Sequence, residues 1–470
     1  MRTLGGIYCI NAISFLSNLA AVFVFIKFSG ADGYGTYGIY LVFLSAYYLW
    51  EICIIKSALI IQQEKETDSI YDPDFRAVAF LRGSFIPFVI GSLVLVALGN
   101  TIYPVDAQTW VGGTAVAFIV ACEHFFGYPA NRLVYHLTVQ NRFQAIYLLR
   151  LGSTFLRHAC AWGVLILTGS VQWAMAAILI KGIALGAFSL WWIKRKFSRI
   201  PSTGICFGKS QLFMLGGFFG AAMALLALQE IPSFYINRFY GRENLGIYRS
   251  FYDIVNSVWF VATIYPTILF AHLLRNNASP QIATRNLFFS VWSKRVSLFH
   301  LVFFFIVCLC ISFDRLLSIN LIPKMPYLIG LTGGVAILGY SRFLIEVAQS
   351  QKLSIQVLVS TLVALSVVII VFYFSAVDFG INAVAWAWLI GQTVFFILLK
   401  AALHFSRVQS AKDQWDVVIL VLPILTLTIF YSFLSQELIL GISALGALSG
   451  IVVLITLLLR PFNVRQRAVS

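Results

Sequence analysis

The stretch from Lys27 to Tyr37, Lys-Phe-Ser-Gly-Ala-Asp-Gly-Tyr-Gly-Thr-Tyr, returns 211 positions later as Arg-Phe-Tyr-Gly-Arg-Glu-Asn-Leu-Gly-Ile-Tyr, from Arg238 to Tyr248. Phe28, Gly30, Gly35 and Tyr37 recur unchanged, and Lys27/Arg238 and Asp32/Glu243 keep their charge. Each copy lies between two long apolar runs, so each is expected to be a short polar turn whose glycines supply the backbone angles. The same offset matches Leu4-Gly5-Gly6 to Leu215-Gly216-Gly217. Further on it matches Gly169, Ala174 and Ala176 to Gly380, Ala385 and Ala387. One ungapped register reaching both ends of a region indicates a duplicated unit, and a duplication of this length restricts the fold more than any local motif does.

The unit that is duplicated belongs in a membrane. Apolar residues make up 60% of the 470 positions and charged residues only 11%, which leaves helices apolar on nearly every face. A span needs about 20 apolar residues to cross roughly 30 Å of hydrocarbon. Fourteen such runs are expected, at 7–28, 36–62, 78–99, 109–131, 146–168, 171–194, 211–236, 246–271, 296–319, 326–350, 353–375, 380–404, 415–434 and 438–459. The first run is too long for a signal-peptide core and has a counterpart in the second copy, so it is expected to be a retained helix.

The formal net charge is +15, and its distribution sets an orientation. With the N-terminus inside, most Lys and Arg fall in alternate loops, densest between Lys194 and Lys209 and again after Arg460. That is the positive-inside pattern of a polytopic membrane protein with both termini cytoplasmic, and it excludes a nucleic-acid-binding face. The expected class is an all-α polytopic membrane protein. Residues 1–194 form a six-span N-lobe, 195–210 a basic cytoplasmic linker, 211–404 a six-span C-lobe, and 405–470 two further spans and a basic tail. An even span number gives the lobes the same orientation, related by an axis along the membrane normal.

Charges inside the spans need a partner or a water-filled cavity, at a cost of about 2.5–3.5 kcal/mol each at a helix centre. The first lobe holds Glu51, Lys56, Glu123, Arg150, Arg157 and Lys181, whose counterparts 211 positions on are Ala262, Thr267, Gly334, Thr361, Val368 and Gln392. All six counterparts are uncharged. The asymmetry suggests a cationic first-lobe wall, with Lys56, Arg150, Arg157 and Lys181 as candidate substrate-binding residues and Arg249 and Arg342 as secondary ones. Buried pairing of Glu51 or Glu123 with Lys56 or an arginine is the structural alternative. Arg249/Asp253 and Arg342/Glu346 have the i, i+4 spacing of local ion pairs. Glu230 precedes Pro232, where helical hydrogen bonding is expected to break, so it reads either as an ion-coupling carboxylate or as a solvated helix end. Glu51, Glu123, Glu230 and Asp253 are the candidates for coupling to a proton or sodium gradient.

No phosphate-binding glycine loop, metal-ligand cluster or nucleophile elbow is present in the sequence, so no catalytic residues, metal or cofactor are expected. Asp68, Asp72 and Asp74 lack the spacing of a calcium loop. Arg and Lys recognise phosphate without transforming it, which suits binding and release of an anion.

The run Phe28-Ser29-Gly30-Ala31-Asp32-Gly33-Tyr34-Gly35-Thr36-Tyr37-Gly38 after the first span, the paired six-helix lobes and the Asp378-Phe379-Gly380 turn resemble lipid-linked oligosaccharide flippases. These are the polysaccharide transporter family of the multidrug/oligosaccharidyl-lipid/polysaccharide exporter superfamily. The resemblance implies two bundles in a V that alternate access, with a cationic cavity for pyrophosphate and acidic sugars. The implied cargo is an undecaprenyl-pyrophosphate-linked glycan for O-antigen or capsule assembly, with membrane lipid, a polysaccharide polymerase and chain-length proteins as partners. Two other classes compete. A cation-coupled multidrug antiporter of the same superfamily would favour acids in its cavity. An O-antigen polymerase or membrane glycosyltransferase would carry a large extracytoplasmic loop, and no such loop is expected here.

Overall fold

A computed structural model describes residues 2–63, 73–103, 112–196, 209–262, 271, 273, 296–312, 327–406, 420–430 and 436–459. Most of the 195–210 linker, Asp68 and Asp72, the 274–295 connection and the basic tail lie outside the described residues. All regular structure among the described residues is helical. Among the described residues, seven helical stretches are long and apolar enough to cross a membrane.

Helices form where the apolar runs predict them. In chain order they are α1 (Arg2–Gln63), α2 (Pro73–Gly83), α3 (Phe85–Ile102), α4 (Gly113–Gly127), α5 (Pro129–Val139), α6 (Phe143–Thr168), α7 (Val171–Ala177), α8 (Leu179–Lys196) and α9 (Lys209–Ala262). They continue with α10 (Val296–Ser312), α11 (Tyr327–Ser350), α12 (Ser354–Phe379), α13 (Asn382–Phe405), α14 (Leu422–Phe430) and α15 (Gln436–Leu459). By contacts the chain divides into Met1–Ala271 and His272–Ser470.

The turn from which the repeat was read is one residue wide. Gly30, at φ 73°, is the non-helical residue inside α1, and Gly241, at φ 85°, is the one inside α9. Residues on either side remain helical, so no polar loop separates the spans. The chain nevertheless reverses. The Phe25 and Tyr37 rings stack 4.0 Å apart, whereas twelve residues of straight helix would hold them about 18 Å apart. In α9 the Arg249 guanidinium reaches Glu230 at 2.7 Å across the same kind of apex. Both elements are therefore helical hairpins. Glycine is needed at each apex because a Cβ resists positive φ.

The backbone repeats the 211-residue register at its positive-φ residues. Gly30 pairs with Gly241, Gly169 (φ 66°) with Gly380 (φ 55°), and the non-glycine Asn141 (φ 58°) with Lys352 (φ 62°). Helix α6 and helix α12 are both 26 residues long and begin and end 211 positions apart. The copies differ where the first is broken. Tyr128 separates α4 from α5 and Ile178 separates α7 from α8, while their counterparts α11 and α13 run on unbroken.

Within the first unit the two hairpins pack directly on one another beyond their apices. A Cβ on Gly35 would strike the Arg242 carbonyl, and one on Gly246 would strike the Ala31 carbonyl. Residues 31 and 242, and 35 and 246, are themselves 211 apart, so the contact is two-fold in form, the membrane analogue of an isologous interface. Small residues let backbones approach this closely in lipid. Replacing Gly246 with Leu should cost on the order of 3 kcal/mol and lower the melting temperature of the purified protein by several degrees. Gly91 faces open space and serves as the control position.

In the second unit α11 and α13 meet where Trp388, fully buried, lies against Gly334, and α13 meets α12 where Gly391 lies against Val368. Large exposed side chains on both units, such as Leu93 and Leu167 in the first and Phe374 and Leu445 in the second, provide the apolar surface that lipid solvates.

Candidate functional site

Helices α4 and α8 cross through a pair of glycines. A Cβ on Gly182 would collide with the Glu123 carbonyl, and one on Gly186 with the Phe126 carbonyl. The small-xxx-small spacing seats α8 against α4. It also carries Lys181, next to Gly182, up to the Glu123 side chain, where the two form a close ion pair. The second Glu123 oxygen accepts the Tyr40 hydroxyl at 2.6 Å. Glu123 is 1% exposed and Lys181 9%, so the charges are withdrawn from solvent but matched by partner and hydrogen bond, as burial requires.

The adjacent His124 Nδ1 meets Glu51 at 2.8 Å, and its ring stacks on Tyr47 with centroids 5.0 Å apart. Glu51 also lies within electrostatic reach of Arg150 and Lys181. Arg150 sits with its guanidinium carbon 4.6 Å from the Tyr48 ring centroid, a cation–π arrangement. Arg157, two turns further along α6, donates from Nη2 to Asn18 Oδ1 at 3.3 Å, and His158 Nε2 meets the same oxygen at 3.0 Å. Tyr37, Tyr40, Glu123 and Tyr34 act electrostatically on Arg157. Arg157 forms no ion pair among the described residues.

The cationic first-lobe wall therefore carries its own carboxylates. Lys181, a candidate for ligand binding, is matched by Glu123. The structural alternative set Glu123 against Lys56 or an arginine, and its partner is Lys181 instead. The cations Arg150, Arg157 and Lys181 thus lie near two carboxylates, Glu51 and Glu123. Lys56 is buried on the second arm of α1.

The α9 hairpin builds a second cluster. Arg249 Nη1 donates to Glu230 at 2.7 Å and to Ser233 Oγ at 3.3 Å, and Arg249 Nη2 pairs with Asp253 at 3.2 Å. Tyr34 of α1 donates to the other Asp253 oxygen at 2.9 Å. The i, i+4 pair expected of Arg249 and Asp253 forms. The expectation for Glu230 is corrected. Helix α9 continues through Pro232 without a non-helical residue there, and Glu230 is 7% exposed, so it is neither at a broken turn nor at a solvated helix end. Arg342, in the second unit, is half-buried on α11 and Glu346 is buried there.

Sequence reasoning missed Asn18, Tyr34 and Tyr40. Their one signal was polarity inside an apolar run, which is weak for hydroxyls that can bond their own helix and stronger for a lone carboxamide.

No protein-family model matches the chain, and no curated protein matches it by sequence. Solved structures do. The lipid II flippase MurJ in its inward closed conformation gives a TM-score of 0.64 at 13% identity, over 96% of this chain and 98% of that one. A point mutant of the Vibrio cholerae MATE transporter VcmN gives 0.58 at 14% identity, over 88% and 98%. The MATE multidrug transporter DinF-BH in complex with R6G gives 0.55 at 13% identity, over 86% and 96%. These identities establish the fold alone, an all-helical multi-pass membrane fold shared by flippases and multidrug exporters. The resemblance read from the sequence holds at that level.

Proposed function

We propose that the chain is a flippase that carries undecaprenyl-pyrophosphate-linked oligosaccharide units across the bacterial inner membrane for surface polysaccharide assembly. The observation that carries this reading is Arg157 on α6, a guanidinium held by the Asn18 carboxamide and in no ion pair among the described residues. Diphosphate is the natural complement of such a group, because guanidinium binds phosphate oxygens through paired, charge-assisted hydrogen bonds. In this reading both termini are cytoplasmic and residues 1–194 and 211–404 are the lobes. The lobes, related by an axis along the membrane normal, rock against one another to alternate access while the polyprenyl tail stays in lipid. A polymerase and chain-length proteins would receive the cargo, and a proton or sodium gradient would drive it. Likeness in fold to a lipid II flippase supports the reading.

A second reading is cation-coupled export of multidrug type. The MATE neighbours favour it, as does Glu51, a carboxylate in the cluster whose side chain retains 17% exposure. Proteoliposomes separate the two. The flippase reading expects translocation of a fluorescent polyprenyl-pyrophosphate-linked glycan and no gradient-dependent accumulation of a cationic dye. Dye transport without glycan translocation would overturn it in favour of the second.

A further inference from the structure

We propose that Asn18 is the positioning residue for Arg157, a neutral acceptor that orients the guanidinium without discharging it. This rests on the anion-binding reading of the cluster.

Three cations of the first unit show the contrast. Lys181 is held by the Glu123 carboxylate, and Arg249 by Glu230 and Asp253. Arg157 is held by a carboxamide oxygen instead. A carboxylate there would fix Arg157 as well or better, since a charge-assisted bond is about twice as strong as a neutral one. It would also cancel the charge that an incoming anion needs. An amide offers only a dipole.

The geometry shows that Asn18 holds more than one side chain. Its Oδ1 takes both Arg157 Nη2 and His158 Nε2, so both lone pairs of the oxygen are used. His158 is 2% exposed and stacks on Trp162 with centroids 5.2 Å apart and planes 19° apart, which fixes the imidazole. Neighbouring helical residues diverge by about 100°, so two of them meeting on one oxygen fix the rotation of α6 against the first arm of α1. Among the described residues the Arg157 Nε has no hydrogen-bond partner. One edge of the guanidinium is tied to Asn18, and Nε remains as a donor for a phosphate oxygen.

The test uses the full-length protein in lipid nanodiscs, titrated calorimetrically with inorganic pyrophosphate and, in a parallel arm, with a polyprenyl diphosphate. Tighter binding of the second ligand assigns the diphosphate to a lipid, and equal affinity assigns it to a soluble anion. Asn18→Asp should weaken binding of both at least tenfold while leaving the melting temperature equal or higher, because it adds an ion pair to the contact. Asn18→Ala keeps the charge but loses the anchor, and should weaken binding about threefold with a lower melting temperature. A purely structural Asn18 would make affinity and stability move together. Wild-type affinity in Asn18→Asp overturns the proposal. If that variant does not fold, wild-type affinity in Asn18→Ala does so. Absence of binding by the wild type overturns the anion-site reading itself, and this inference with it.

Discussion

Arg157→Ala is expected to reduce translocation of a polyprenyl-pyrophosphate-linked glycan about 100-fold with the amount of protein in the membrane unchanged. A hydrogen bond to a charged group contributes about 1.5–3 kcal/mol. Loss of the paired donors that a guanidinium offers a diphosphate is then worth about 3 kcal/mol, or two orders of magnitude in affinity. Arg157→Lys should fall between the two, near tenfold, since it keeps the charge and loses the planar fork. Folding should be little affected, because the side chain is half-buried and its one side-chain hydrogen bond among the described residues is to Asn18. The measurement is initial translocation rate in proteoliposomes, alongside surface glycan in cells and immunoblotting of membranes. An Arg157→Ala protein that moves the lipid at the wild-type rate would remove this residue from the site.

Arg249→Met has the opposite signature, a large loss of stability. The side chain is buried and is shared between Glu230 and Asp253. Removing it leaves a buried and a half-buried carboxylate near one another, with Ser233 and Tyr34 as their remaining side-chain donors among the described residues. Breaking a buried pair from one side costs about 3–5 kcal/mol because of the charge left behind. The melting temperature of the purified protein should drop accordingly. The triple variant Glu230→Gln/Arg249→Met/Asp253→Asn should recover most of the loss, because it removes the stranded charges along with the cation. A single variant as stable as wild type, or a triple variant no better than the single, would show that the network is not what holds the α9 hairpin closed and ties it to α1 through Tyr34.

These two arginines looked alike as letters. Each is a cation in an apolar run, and spacing could pair Arg249 with Asp253 because both lie on one helical face. It could not bring in Glu230, nineteen positions earlier, because that contact depends on the chain reversing at Gly241. The same holds for Lys181 and Glu123, joined only where Gly182 lets α8 approach the α4 backbone, and for Asn18 and Arg157, which belong to different helices. The duplication was legible because it is written in conformation. Positive φ selects glycine at Gly30, Gly169, Gly241 and Gly380, and that preference survives where side-chain packing has diverged.

The amino-acid order alone settled the all-helical membrane class, the 211-residue duplication and the confinement of Glu51, Lys56, Glu123, Arg150, Arg157 and Lys181 to the first copy. Each follows from local chemistry: the length of an apolar run, the angle a glycine permits, the cost of a charge in hydrocarbon. The tertiary structure alone decided which of those charges are matched. Matching depends on how helices rotate and how closely they cross, and those are set by the packing of many small residues together. On that basis Lys181 and Arg249 are held in buried ion pairs, and Arg157 is left charged against a neutral amide.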